Sequence, residues 1–380
     1  MKALTIGGAM IDTIAIIESR RIERVTMTNV DSSFLLLEEG KKTEALEIST
    51  HTGGGAVNTA VGLARLGFDV ATLVKLGRDA RAETILSRLL EEGVSTRWAI
   101  RDGRAPTGAS VLLSSHDRNA AVFTFRGANG LLELADLRPE IFAVDLVYIA
   151  GLSNESAKCF PEIVRRAAGS GAKVAANPGI RQLSARGSEL IELLPKIDVL
   201  AVNRMEAEAL VPQLAARFGE DRRCPAPTPG TRLPRLLARG LIGGGHEMGL
   251  CAFADAMNRL GCRAVLLTDG SDGAYLGTDG ALLHCPARKV EVAGTAGAGD
   301  ALASTFAAWW FETGSPADAL RAATINAASV VRHVDTQTGL LGRSAMTTQI
   351  AEHMAALPVA RWALEAPASG TTRAAPPPQP

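Results

Sequence analysis

The sequence predicts an α/β fold built on a mainly parallel sheet, and three observations predict it. Short aliphatic or β-branched runs at residues 3–6, 70–75, 146–149, 173–176, 199–202 and 264–268 alternate with stretches of helical period at 58–66, 82–92, 155–168 and 188–194. Such alternation arises when helices cross over between parallel strands. Several of the runs end in small or polar residues, as strand ends do where ligand loops leave the sheet. The 380 residues are 47% hydrophobic, enough to bury the core of one large domain or two medium ones.

From the N-terminus, the first run leads through Gly7-Gly8 to Asp12, an acid placed at the carboxyl edge of the sheet. Residues 13–52 hold the alternating pieces 13–17 and 33–37, and residues 109–114 and 120–125 read as a hairpin around 116–119. These segments, about 13–52 and 105–126, are expected to form a small β-layer over one edge of the domain; edge strands of the main sheet are the plainer alternative. Phe34, Phe123 and Phe125 within them can wall a ligand or fill the layer's own core.

Gly53-Gly54-Gly55-Ala56-Val57-Asn58 opens a helical pattern that ends at Gly67. Glycines there admit close backbone approach, and Asn58 both donates and accepts, which suits polyol hydroxyls as well as a helix cap. Asn203-Arg204-Met205-Glu206 follows the run 199–202, so Glu206 can reach a magnesium ion or oppose a helix dipole. An insertion at about 220–250 begins with Pro225-Ala226-Pro227-Thr228-Pro229-Gly230. Its Gly243-Gly244-Gly245 reads as a flexible connector, since no strand clearly leads into it. Thr268-Asp269-Gly270-Ser271-Asp272-Gly273 reads as a tight turn. Next comes Gly294-Thr295-Ala296-Gly297-Ala298-Gly299-Asp300, ahead of the apolar run 301–311. A glycine turn at a helix start presents amides to an anion, and Asp300 there is either a helix cap or a general base. Trp309-Trp310-Phe311 read as core, and the Pro/Ala-rich residues 363–380 as a disordered tail.

Several function classes find no support. Forty basic and forty acidic residues cancel, so no electrostatic footprint points to nucleic acid or an anionic membrane surface. The opening apolar run is too short for a signal peptide and no run reaches membrane-span length. Five cysteines, an odd number without metal-type spacing, fit a reduced cytoplasmic compartment. The six histidines lack the helical i,i+4 pairing of a zinc hydrolase. No Gly-x-Ser-x-Gly elbow is present, and at 53–58 the third glycine of a dinucleotide fingerprint is replaced by Asn58.

Taken in order, the motifs resemble the ribokinase-like, or phosphofructokinase B, family of carbohydrate and nucleoside kinases. They are Gly7-Gly8 with Asp12, the 53–67 segment, Arg126-Gly127-Ala128-Asn129, Asn177-Pro178, Asn203 to Glu206, Thr268 to Gly273, Gly297-Ala298-Gly299-Asp300 and Asn326-Ala327-Ala328-Ser329. The similarity covers most of residues 1–345. It implies a three-layer α/β/α kinase domain over 1–362 with a β-sheet lid, and transfer of the ATP γ-phosphoryl group to a hydroxymethyl group of a small sugar or, alternatively, a nucleoside. A non-catalytic sensor is the third reading. Carried over residue by residue, Asp300 is the base and the amides of Gly297, Ala298 and Gly299 bind the moving phosphoryl group. Asp12, Gly54, Gly55 and Asn58 hold the acceptor. Asn203, Thr268, Gly270, Gly273 and Asn326 line the ATP site, with Glu206 toward Mg2+. Many members carry an Asp that helps form a monovalent-cation site where this chain has Gly294, so activation by K+ is not expected. Exposed lid strands are expected to pair two copies into a homodimer.

Overall fold

The computed structural model describes residues 1–18, 23–26, 33–36, 40, 42–115, 120–222 and 233–364. The tail from 365 onward, the Pro-rich start of the insertion, the hairpin tip at 116–119 and the Phe34 side chain lie outside the described residues.

Among the described residues, nine strands form the central sheet. Their spatial order is Ala360–Ala363, Ala281–Cys285, Ala274–Thr278, Ala264–Thr268, Val199–Asn203, Lys173–Ala176, Leu146–Ile149, Lys2–Ile6, Asp69–Leu73. The six from Ala264–Thr268 to Asp69–Leu73 run parallel, and the other three add antiparallel at one edge. Alternate residues of one strand feed opposite cores, which is why the runs are continuously apolar rather than alternating. Leu4, Val147 and Ile149 pack with Ile163, Leu190, Leu210 and Phe253 on one face. Ala3, Leu146 and Tyr148 pack with Leu63, Ile85, Phe306 and Leu320 on the other. Three layers result.

A separate four-stranded sheet, in the order Ala120–Phe125, Gly108–Ser115, Met10–Ile17, Ala45–Gly53, forms the small β-layer. Its strands pair with one another and not with the edge of the central sheet, because Met10–Ile17 continues out of strand Lys2–Ile6 and recruits its own neighbours on both sides. The register sets Asp12 opposite His51 and Ser110, and Ser110 opposite Thr124. Side chains alternate across a strand, so Phe123 and Phe125 fall on the opposite face from Asp12. They are 61% and 51% exposed, neither a wall beside Asp12 nor lid core.

Helix boundaries shift where local chemistry overrides period. The helix expected at 155–168 is a 3-10 segment, Asn154–Cys159, followed by an α-helix over Phe160–Gly169, because Pro161 favours a first helical turn. The helix expected from 188 begins earlier, as Ile180–Leu193. Trp309, Trp310 and Phe311 are half-buried rather than core, with Arg343 over Trp309 at 5.1 Å and Arg263 over Trp310 at 5.4 Å from the ring centroids. The insertion also corrects its expectation. A turn of helix, Arg235–Arg239, precedes the hairpin Leu241–Gly243 and His246–Met248, with Gly244 and Gly245 at its bend. A β-carbon on Gly243 would lie 1.9 Å from the Glu208 carbonyl oxygen, so the glycine lets the hairpin press against helix Arg204–Phe218. Among the described residues, no helix is long and apolar enough to cross a membrane.

Candidate active site

The helix Ala298–Thr313 starts at Gly297, whose φ of 78° is left-handed, and Asp300 is its third residue. Asp300 is therefore not the cap. The first i→i−4 bond runs from the Ala301 amide to the Gly297 carbonyl at 2.9 Å. The amides of Ala298, Gly299 and Asp300 come before that ladder and carry the positive end of the dipole. Gly297 cannot be replaced without displacing a neighbour: a β-carbon there would lie 2.7 Å from Thr336 Cβ.

Asn58, in the first helix of the chain, Gly55–Arg65, donates from Nδ2 to Asp300 Oδ2 at 2.8 Å. Its Oδ1 accepts from Thr336 Oγ1 at 2.8 Å and from Gln337 Nε2 at 3.2 Å. Two donors on Oδ1 fix the amide so that its NH2 group faces the carboxylate. Thr336 and Gln337 were not singled out from the sequence, although the run Asp335-Thr336-Gln337-Thr338 is dense in hydrogen-bonding side chains after a helix. Asp335 Oδ1 accepts from the amides of Gln337 and Thr338 at 2.8 and 2.7 Å and shapes this loop.

Asp12 lies on the strand Met10–Ile17 and accepts a hydrogen bond from Ser110 Oγ. Asn129 clamps the chain just before it, accepting from the Ala9 amide and donating to the Ala9 carbonyl, both at 2.9 Å. A β-carbon on Gly53 would stand 1.9 Å from Asp12 Oδ2, so the triple glycine serves first to seat this acid. Gly54 approaches the Gly8 carbonyl, and a β-carbon on Gly55 would lie 3.5 Å from Asp300 Oδ1. Burial raises the pKa of both Asp12 and Asp300, and the Asp12 charge raises that of Asp300 further. Gly55 and Asn58 thus lie against Asp300, and Asp12 is near enough for its charge to act on that carboxyl.

Asn203 caps helix Arg204–Phe218 with a reciprocal box: Glu206 N donates to Asn203 Oδ1 at 3.0 Å and Asn203 N to Glu206 Oε2 at 2.9 Å. The cap uses one oxygen of Glu206. Burial, and more weakly Asp300, hold this carboxyl above its ordinary pKa, so a cation beside it would relieve a desolvated acid. Among the described residues no group of three or more His, Cys, Asp or Glu forms a metal cage.

Thr268, Gly270 and Gly273 line a cavity of about 490 Å³ with Val290, Leu302 and Ala328, and Ala298 and Gly299 reach it from the helix start. Asn326 departs from its expectation as an ATP contact. It is fully buried, donating to Thr305 Oγ1 at 2.7 Å and accepting from the Leu341 amide at 2.9 Å. Thr324, Ala327 and Ala328 of its helix line the cavity instead. At Gly294 a β-carbon would lie 3.1 Å from the His333 carbonyl oxygen and 3.2 Å from Val334 Cα.

The family described as pfkB family carbohydrate kinase matches residues 20–231 and 235–341. A deoxyribokinase of Salmonella typhi is 24% identical over 327 residues, 85% of this chain and 94% of its own length. A ribokinase of Staphylococcus aureus (strain COL) is 26% identical over 290 residues, 73% of this chain and 82% of its own. The crystal structure of a ribokinase from Thermotoga maritima superposes with a TM-score of 0.68 at 20% identity, covering 92% of this chain and 99% of that one. That of a nucleoside kinase from Methanocaldococcus jannaschii gives 0.67 at 17% identity, covering 93% and 99%. At such identities the two structures establish the shared fold.

Proposed function

Because the chain belongs to the pfkB family of carbohydrate kinases, we propose that it transfers the γ-phosphoryl group of ATP to a hydroxymethyl group of a small sugar, with Asp300 as general base. One observation carries this reading. The Asp300 carboxylate stands at a helix start whose leading amides are ahead of the helical ladder, and Asn58 holds it in place at 2.8 Å. Positioning and charge stabilisation are most of what phosphoryl transfer asks of a protein.

The acceptor hydroxyl lies against Asp300, which takes its proton as the new O–P bond forms and the bond from the γ-phosphorus to the bridging oxygen breaks, releasing ADP. The amides of Gly297, Ala298 and Gly299 receive the charge on the transferring group. Asp12, the backbone at Gly54 and Gly55, and the second amide hydrogen of Asn58 hold the acceptor's other hydroxyls. Thr268, Gly270 and Gly273 bind the nucleotide, with Asn203 toward its phosphates. Magnesium, when bound, neutralises phosphate charge, and Glu206 holds it directly or through water. The kinase unit in this reading is residues 1–362.

Phe123 and Phe125, two of the three phenylalanines read as a wall for a nucleobase, face away from Asp12, which favours a sugar over a nucleoside; the third, Phe34, lies outside the described residues. A sensor would have no use for a desolvated base. ADP release measured against pentoses, hexoses, sugar phosphates and nucleosides, with and without potassium, tests the reading. Turnover with a sugar, indifferent to potassium, is expected. Turnover with nucleosides alone replaces the acceptor, and ATP binding without turnover on any acceptor returns the sensor.

A further inference from the structure

A second cavity, of about 500 Å³, adjoins the first, and the two share Thr268, Gly270 and Ser271. Their walls differ in kind. The first is mostly apolar, with Arg288 and Lys289 at its wall, whereas the second is lined by Arg204, Arg235 and Arg239 together with Asn203, Asp269 and Asp272. Two of the three arginines come from the insertion, a segment to which the proposed chemistry gives no duty.

The helical turn Arg235–Arg239 is anchored by Leu236 and Leu237, each 1% exposed in the core, while Arg235 and Arg239, four residues apart on one face, are exposed. Arg204 Nε stands 3.4 Å from Asp269 Oδ1, and all three guanidiniums act on that carboxyl. Three arginines against Asp269 and Asp272 leave one positive charge over. The turn between the cavities is braced, since His284 Nε2 lies 2.8 Å from the Asp272 carbonyl oxygen. Thr268, Gly270 and Ser271 border the arginine wall and also line the apolar cavity that Ala298 and Gly299 reach from the helix start, so a nucleotide bound in that cavity would have the wall beside it.

We propose that Arg235 and Arg239 of the insertion, with Arg204, form a cationic wall that binds the α- and β-phosphates of the nucleotide. The proposal rests on the ATP reading above. Guanidinium suits the task because its planar fork matches phosphate oxygens and never loses its charge. Asp269 keeps the wall assembled before the nucleotide arrives, which lowers the ordering cost of binding.

Calorimetric titration of the full chain and of the double variant R235Q/R239Q, with ATP and separately with adenosine, tests it. The variant is expected to bind ATP about tenfold or more weakly and adenosine as the wild type does, with a shallower dependence of ATP affinity on ionic strength. KM for ATP rises while KM for the acceptor stays. Arg239→Lys, which keeps the charge and loses the fork, falls between. Unchanged ATP affinity overturns the proposal, and so does an equal loss for ATP and adenosine, which would mark a packing defect. A wild-type chain that binds neither ligand removes the ATP reading itself and the wall with it.

Discussion

Asp300 combines the properties a general base needs, and each can be measured. Asp300→Asn is expected to fold normally, by circular dichroism, while kcat falls about 10²–10⁴-fold, the usual contribution of a positioned base. Wild-type kcat in that variant removes Asp300 from the mechanism. Because burial and the Asp12 charge raise its pKa, and only the ionised form accepts a proton, kcat falls on the acid side at a pH above the ordinary aspartate range. Asp12→Asn removes the neighbouring charge, so the acid limb of kcat moves to lower pH, even as KM for the acceptor rises. A raised carboxyl pKa also means that the folded chain favours the protonated form, so stability from this group is lost as pH rises through the folded value. Asp300→Asn is thus expected to raise Tm at neutral pH, by roughly 1–2 °C for each kcal/mol relieved, the scale set by an unfolding entropy of about 2.1 cal/mol/K per residue. That gain shrinks as the pH falls through the raised folded value and the wild-type acid becomes protonated. An unchanged or lowered Tm at pH 7 rejects this account. Asp300 and its glycine turn were legible in the sequence because they are contiguous. The Asn58 contact was not, since its partner is 242 positions away and a helix-start Asn reads equally well as a cap.

At the scale of elements, the site is a helix start backed by a loop. Gly297 takes a left-handed φ and presses on Thr336, so Gly297→Ala should cost about 2–4 kcal/mol from strain and overpacking together, read by urea unfolding, and should lower kcat as well. The loop 335–338 turns Asn58 toward Asp300, and the double variant Thr336→Val with Gln337→Ala frees that amide by removing both donors on its Oδ1. Displacement of a reacting group by about 1 Å can cost 10²-fold, so kcat should fall at least tenfold with KM for ATP little changed. A matched rise in KM for ATP would mark the loop as part of the nucleotide site instead. This loop carries no periodic pattern to read: its hydrogen bonds join Thr52, Asn58, Arg65, Arg88 and its own backbone, and all but the last are partners that only folding brings near. The sequence offered Glu206 only as a magnesium ligand or an acid facing the helix dipole; the box that it forms with Asn203 is a local pattern, since a cap and its third residue lie within one turn. That one oxygen of Glu206 is spent on the cap came only with the structure.

Over the whole molecule, the face of the four-stranded sheet opposite Asp12 leaves Leu46, Ile48, Val111, Phe123 and Phe125 exposed. A contiguous apolar face of this kind marks an association surface, and a homodimer through it is expected in sedimentation, dissociated by Phe123→Glu. A wild-type monomer at micromolar concentration rejects it. Legible along the chain were the mainly parallel sheet, the glycine turn before Asp300 and the order of motifs that identifies the family, whereas the segments about 13–52 and 105–126 read equally as a separate layer or as edge strands until their pairing was seen. The legible features rest on period, on turn chemistry and on contacts within a few residues. Tertiary structure alone decided which side of the lid its phenylalanines take, that Asn326 is consumed inside the core, that Thr336 and Gln337 set Asn58, and that the insertion's arginines stand beside Thr268. Each depends on strand register or on packing between segments far apart in the chain, and a hydrogen-bonding side chain does not encode in its own neighbourhood which distant partner will satisfy it.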